Sequence, residues 1–307
     1  MKIIFFGNDN NSLIVLDKLF KSSHSIELVV TSQDKVRSRG TKKSQSTIKE
    51  FCLQNSVSFT EKIPTASLIE QIKPDVFVVA SFGKIIPKKV IDFPKYGSLN
   101  IHPSLLPKYR GPSPVISAIL NGDKVTGVSI ISLNSGIDSG PIILQKKYSI
   151  GQKDSLELIT QNLFIDGTKL ILNLLANPND IFKSVPQDES KASATQKILK
   201  SDGHINWNNS AQTILNQIRA IGHNPGTYSY LDGKKIKIHN AEIYEQNIEG
   251  LNIGEIFSIR KDGQSFLLVK AFDHIINILL IQPESRPKMT AQAYLSGHLN
   301  DIGKKLD

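Results

Sequence analysis

The chain has one cysteine, Cys52, in 307 residues, which excludes an intramolecular disulfide and any cysteine-cluster metal site. That scarcity favours a reducing compartment. Seven histidines form no HxH or HxxxH pair, so no dedicated metal site is expected. The first βα turn, Gly7-Asn8-Asp9, lacks GxGxxG, and GxxxxGK[ST] is absent throughout; a dinucleotide cofactor and a P-loop nucleotide are therefore disfavoured. No apolar stretch approaches the roughly 20 residues that span a bilayer. The opening run, MKIIFFGNDNN, turns polar too early for a signal peptide. No internal repeat or low-complexity tract is present. A soluble cytoplasmic protein without a membrane partner is expected.

Hydrophobic residues make up 39% and charged residues 21%, which excludes wholesale disorder. A chain this long suits two cores better than one. The net charge is +9, and it is unevenly spread. Residues 1–203 hold 26 Lys and Arg against 18 Asp and Glu; residues 204–307 hold 11 against 10. Within residues 34–43, Lys35, Arg37, Arg39, Lys42 and Lys43 face a single acid, Asp34. Such a loop reads either as an ordinary solvated charged segment or as a polyanion contact.

In the first half, KIIFF, IELVV, DVFVVA, GSLNI and GVSIISL are short apolar runs that alternate with amphipathic helical stretches. That order predicts a Rossmann-like open parallel sheet covered on both faces, an α/β domain over 1–180. The strands near 127–133 and 142–148 are too close for a helical crossover and predict a hairpin or bulged turn. A long helix is expected at about 154–175, then a polar linker over 181–206. From 207 to 307, a helix, five strand-like runs with Asp-Gly turns and a short final helix predict a small OB-like β-barrel domain.

The chemistry-bearing segment is SLNIHPSLLPKYRGPSPV, 98–115. Asn100 and His102 stand at i and i+2, so on a strand they share one face. Later, SGIDSG sets Asp138 among glycines, where backbone can approach a ligand. Taken singly, His102 reads as an ordinary half-buried histidine, Asp138 as a turn residue and Asn100 as a loop cap. Together, at adjacent strand ends, an amide, an imidazole and a carboxylate suit acyl transfer to an amine. Amide and imidazolium N–H groups can donate to a developing oxyanion. The carboxylate can hold the imidazolium and help remove the amine proton.

Residues 100–111, NIHPSLLPKYRG, followed by GVSI at 127–130 and GIDSG at 136–140, resemble the folate-dependent formyltransferases. Three further stretches are similar to the branch acting on methionyl-tRNA: the basic loop from Asp34 to Lys43, ATQKILKSDGHINW at 194–207, and QPESRPKMTAQAYL at 282–295. The resemblance covers about residues 1–300. It implies that 10-formyltetrahydrofolate, as formyl donor, modifies the α-amino group of initiator methionyl-tRNA for translation initiation, without a metal. It implies that Asn100 and His102 stabilise the oxyanion, while Asp138 keeps His102 oriented and charged. It assigns Ser104, Leu105, Leu106 and Pro107 to the folate site, with Phe82, Gly83 and Ile85 walling the pterin pocket. It assigns Arg37, Arg39, Lys42 and Lys43 to tRNA, and a monomer is expected. An amino sugar nucleotide is the alternative acceptor, and a catalytically silent tRNA-binding protein is the non-enzymatic one. The chain departs from the family's usual pattern at Asn8, at Asn134 and across 223–227.

Overall fold

A computed structural model describes residues 1–33, 46–246 and 248–307. The basic residues Arg37, Arg39, Lys42 and Lys43 lie outside the described residues. By contacts between residues, Met1–Val115 and Lys124–Gln196 form one compact unit, and Ile116–Asp123 and Lys197–Asp307 another.

In chain order, the first unit carries β1 (Lys2–Gly7), α1 (Asn10–Phe20), β2 (Ser25–Val30), α2 (Thr47–Gln54), β3 (Phe59–Thr60), α3 (Ala66–Ile72) and β4 (Val76–Ala80). There follow α4 (Lys88–Ile91), β5 (Ser98–His102), α5 (Pro114–Leu120), which crosses the division, β6 (Val125–Ser132), β7 (Ile142–Ser149) and α6 (Leu156–Ala176). Among the described residues, seven strands form one sheet in the order β3-β2-β1-β4-β5-β6-β7. β3 through β5 are parallel; β6 and β7 are antiparallel to their neighbours. The continuous apolar runs follow from this: β4 is buried at all five positions and β1 at five of six, because helices cover both faces. The hairpin expected at the sheet's end is β6–β7.

Local chemistry sets the helix starts. Asp9 caps α1, its carboxylate accepting from the Asn11 and Ser12 amides while the Ser12 hydroxyl accepts from the Asp9 amide. Ser155 caps the long helix α6 in the same manner through the Leu158 amide. α6 buries Ile159, Leu163, Phe164, Ile171 and Leu174, packing on β5, β6 and α1. This packing holds the strand that carries Asn100 and His102.

The second unit contains α7 (Ala211–Ile221), β8 (Thr227–Leu231), β9 (Lys234–Tyr244), β10 (Ile256–Lys261), β11 (Gln264–Lys270), β12 (Ile275–Pro283), β13 (Met289–Thr290) and α8 (Ala291–Gly297). Its sheet is antiparallel, in the order β10-β11-β12-β9-β8, with β13 also on β12. Asp232-Gly233 and Asp262-Gly263 close the β8–β9 and β10–β11 hairpins with positive φ at both residues of each turn. Two successive positive φ angles match the right-handed twist of the flanking strands. The core gathers Trp207, Ile214, Ile238, Leu267, Ile276 and Tyr294. Trp207 buries its indole yet donates to the Ser229 hydroxyl at 3.0 Å, so no polar group is stranded there.

The turn between β6 and β7 depends on a close approach. A Cβ added to Gly140 would overlap the carbonyl oxygen of Ser132, a backbone atom that cannot rotate away. Gly140→Ala should therefore destabilise the fold by about 1–3 kcal/mol, the usual range for overpacking. Denaturant unfolding checks this; an unchanged midpoint would show that the turn can relax around a methyl group.

Candidate active site

β5 ends in Asn100-Ile101-His102. Ile101 turns into the core, while Asn100 and His102 share the opposite face, as period-two geometry requires. The third residue arrives by a different route from the one expected. β6 runs antiparallel to β5, pairing Leu99 with Ser132 and His102 with Ser129. The β6–β7 turn therefore emerges at the amino-terminal end of β5, not beside His102. Residues 133–141 fold back so that Asp138 reaches the face of β5. There Asn100 Nδ2 donates to Asp138 Oδ1 at 3.3 Å, and His102 Nδ1 lies 3.4 Å from Asp138 Oδ2. The Gly111 amide donates to Oδ2 at 2.8 Å. Asp138 takes a left-handed backbone, φ 47°.

Asn134 helps to shape this turn: its side-chain oxygen accepts from the Gly136 amide at 3.0 Å and the Ser139 hydroxyl at 3.1 Å. Both bonds need an acceptor and neither needs a charge, so the amide of Asn134 serves.

His102 is 4% exposed. Its Nε2 lies 2.9 Å from the Tyr109 carbonyl oxygen, which can only accept, so Nε2 carries a hydrogen. Burial pushes the imidazole below its ordinary pKa; the Asp138 carboxylate and the Tyr109 carbonyl pull the other way without overcoming it. The resemblance implies that Asp138 keeps His102 charged; the carboxylate does favour the charged ring here, while burial opposes it. Asp138 keeps a proton within reach of Nδ1 instead of fixing it there. Both ring nitrogens are engaged, whereas the bond to Asp138 uses one of the two N–H groups of Asn100.

The loop leaving His102 is pinned from β6 and β7. The Ser129 hydroxyl donates to the Ser104 carbonyl at 2.6 Å and accepts from the Leu106 amide at 3.1 Å. Gln145 Nε2 reaches Ser129 Oγ at 2.8 Å and the Leu106 carbonyl at 2.9 Å. Ser104 is fully buried, its hydroxyl donating to the Lys108 carbonyl, and Leu106 is buried too. Leu105 and Pro107 are half-buried. Leu105 lies over Gly127, where a Cβ would collide with it. On the neighbouring strand β4, parallel to β5 with Ala80 opposite Ile101, the chain leaves through Ser81 to Ile85. Phe82 packs edge-on to Phe6 with ring centres 5.4 Å apart, Gly83 is exposed and Ile85 is 90% exposed. The structure thus joins Asn100, His102 and Asp138 directly and lays Ser104–Pro107 on the loop that leaves His102. Phe82, Gly83 and Ile85 share only the carboxyl end of the adjoining strand.

Sequence reasoning missed several residues. Ser129 had a signal, a polar residue inside the apolar run GVSIISL. Gln187 had none. It lies in the expected linker, yet its Nε2 donates to the Asp138 and Gly140 carbonyls, both at 2.7 Å. Its Oε1 accepts from Arg110 Nε at 3.0 Å and Nη2 at 2.8 Å. Among the described residues, no group of three or more His, Cys, Asp or Glu side chains is arranged to hold a metal ion.

The formyl transferase family model matches residues 1–175, and the model of the formyl transferase C-terminal domain matches 197–299. The methionyl-tRNA formyltransferase of Thermodesulfovibrio yellowstonii is 37% identical over 301 residues, 96% of this chain and 95% of that one. The chain belongs to the methionyl-tRNA formyltransferase family. Solved structures of lower identity share the fold. The N-formyltransferase of Helicobacter canadensis, in complex with folinic acid and dTDP-3-aminofucose, matches with TM-score 0.67 and 20% identity over 92% of this chain and 99% of that one. HypX from Aquifex aeolicus, in complex with tetrahydrofolic acid, matches with TM-score 0.65 and 19% identity over 98% of this chain and 48% of that one.

The electrostatics of this formyltransferase site give a measurable expectation. The ring of His102 should titrate below about 6.5, the ordinary histidine value. Asp138→Asn removes the one nearby negative charge that raises it, so the midpoint should fall further. Folding linkage has the matching sign. The unfolded chain binds the proton more readily, so this group's contribution to stability is present above about pH 6.5 and declines as pH falls below it. NMR of the His102 ring tests the order; a midpoint above the ordinary value, or one raised by Asp138→Asn, would contradict it.

Proposed function

We propose that the protein transfers the formyl group of 10-formyltetrahydrofolate to the α-amino group of methionyl-tRNA in the cytoplasm. The observation that carries this reading is the Asp138 carboxylate held between the Asn100 amide and the His102 imidazole, in a chain similar along its full length to methionyl-tRNA formyltransferases. The folate co-substrate supplies an activated formyl carbon. Leu105 and Pro107 suit its flat ring system: they offer apolar surface on a loop that Ser129 and Gln145 hold in place.

The chemistry follows from the side chains. The neutral amine attacks the formyl carbon, forming the new C–N bond, and the bond to the folate nitrogen breaks. The α-amino group has an ordinary pKa of about 7.7–8.0, so a modest base suffices to keep it neutral. The second N–H of Asn100 donates to the oxygen on which negative charge develops. The Asp138–His102 pair takes the proton that the attacking amine sheds and returns it to the departing nitrogen. Because burial opposes a standing charge on His102, the pair accepts a proton only transiently.

The charge distribution supports tRNA over a small acceptor. The excess of basic residues before residue 204, half of it within residues 34–43, offers more phosphate contacts than the single diphosphate of an amino sugar nucleotide needs. The intact Asn100, His102 and Asp138 argue against a silent RNA-binding protein, which has no use for all three.

Labelled formyl donor incubated with methionyl-tRNA and, separately, with amino sugar nucleotides tests the assignment. Transfer to methionyl-tRNA alone is expected, and transfer confined to the sugar would overturn it. In the same assay Arg39→Ala, or loss of Lys42 and Lys43, should raise KM for tRNA and lower the salt slope by about one for each phosphate no longer neutralised. An unchanged KM and slope would assign the loop to solvent.

A further inference from the structure

We infer that Gln187 is a positioning residue for formyl transfer, holding the Asp138 turn in register with the loop that leaves His102. The kinetic part of this inference rests on the function proposed above.

The segment after α6 returns to the active-site loops as a strap. Val185 and Ile142 exchange backbone hydrogen bonds, each 2.8 Å long. Farther on, the Ser193 amide donates to the Pro107 carbonyl, the Arg110 amide to the Ser193 carbonyl and the Thr195 amide to the Arg110 carbonyl. Thr195 Oγ1 donates to the Arg110 carbonyl and accepts from the Ser113 amide. Gln187 lies between these two attachments. Its side chain is the polar link that reaches across from one catalytic segment to the other.

A primary amide has two N–H donors and two acceptor lone pairs, and Gln187 uses all four. Its donors hold the carbonyls of Asp138 and Gly140, on the β6–β7 turn. Its oxygen is forked by the Arg110 guanidinium, on the loop that also supplies the Tyr109 carbonyl to His102 and the Gly111 amide to Asp138. Arg110 is itself held by Glu189 through two bonds of 2.7 and 2.9 Å. Asp138 sits at positive φ, a backbone that aspartate tolerates in turns and that sets the direction in which its carbonyl leaves the turn. Holding its carbonyl through Gln187 limits how far the residue can swing on its turn. The Gln187 amide thus braces the backbone from which the Asp138 carboxylate reaches Asn100, His102 and the Gly111 amide. No charged residue replaces it: a carboxylate at 187 would set its oxygens against two carbonyls, and a lysine would face Arg110.

Gln187→Met keeps the length and removes all four bonds. It should lower kcat about tenfold, a loss of the size that small misplacements of reacting groups cause, with KM for both substrates unchanged. Asp138 would turn away, so the His102 ring should titrate lower than in the parent, read by NMR without turnover. Ser190→Ala removes its hydroxyl's bond to the Asp188 carboxylate on the same strap without removing a bond of Gln187 or Arg110, and should leave both readouts near the parent's. Where Gln187→Met fails to fold, Gln187→Asn, too short to span both carbonyls, should show the same direction of change. Parental kcat and titration in the Gln187 variants, or equal changes in Ser190→Ala, would overturn the inference. A parent protein without formyl transfer would overturn the proposed function and leave the His102 titration to decide this one.

Discussion

A single carboxylate, that of Asp138, gathers the candidate active site. It accepts from the side-chain amide of Asn100 on β5 and from the backbone amide of Gly111 on the following loop, and it faces the imidazole of His102. These partners lie on β5 and on the loop that leaves it, whereas Asp138 lies on the β6–β7 turn. A half-buried carboxylate without these partners would bear a desolvation cost of several kcal/mol, so the three segments are held to each other as much as to the ligand they serve. The sheet topology makes such a tie necessary. With β6 antiparallel to β5, the turn carrying Asp138 starts at the wrong end of β5 and must be brought back.

The same carboxylate decides how His102 can act. The ring is buried beneath its own loop, and burial alone would strip it of charge. Asp138 partly restores proton affinity, and the Tyr109 carbonyl fixes which nitrogen keeps its hydrogen. The result is an imidazole beside a carboxylate, with burial opposing its charge, next to an amide with one N–H to spare. That combination fits acyl transfer to an amine, where a proton must leave and return within one turnover and a developing oxyanion needs a donor already in place.

Much of this was legible in the sequence where local periodicity governs. Alternating apolar runs and helical stretches gave the α/β unit, and the two Asp-Gly pairs marked hairpins that the second unit contains. The i, i+2 spacing put Asn100 and His102 on one face. What could not be read depends on tertiary paths. Asp138 was expected at an adjacent strand end, but it reaches the site through a turn that folds back. The burial of His102 and the bond from its Nε2 to the Tyr109 carbonyl depend on the path of the loop that leaves it, which no spacing encodes. Gln187 sits in an aperiodic polar stretch, and nothing local distinguishes it from the polar residues around it. The basic residues between 34 and 43 remain a statement about charge alone.

On the function proposed, Asn100 and Asp138 act as one unit, the carboxylate holding the amide that meets the developing oxyanion. A double-mutant cycle on single-turnover formyl transfer to methionyl-tRNA measures this directly, using Asn100→Ala, Asp138→Ala and the pair together. Each single change should slow transfer about 10²–10³-fold, the range for loss of an oxyanion donor. The double variant should be scarcely slower than either one, because groups acting together are lost together. Losses that simply multiply would show that Asn100 works without Asp138 and would contradict the account.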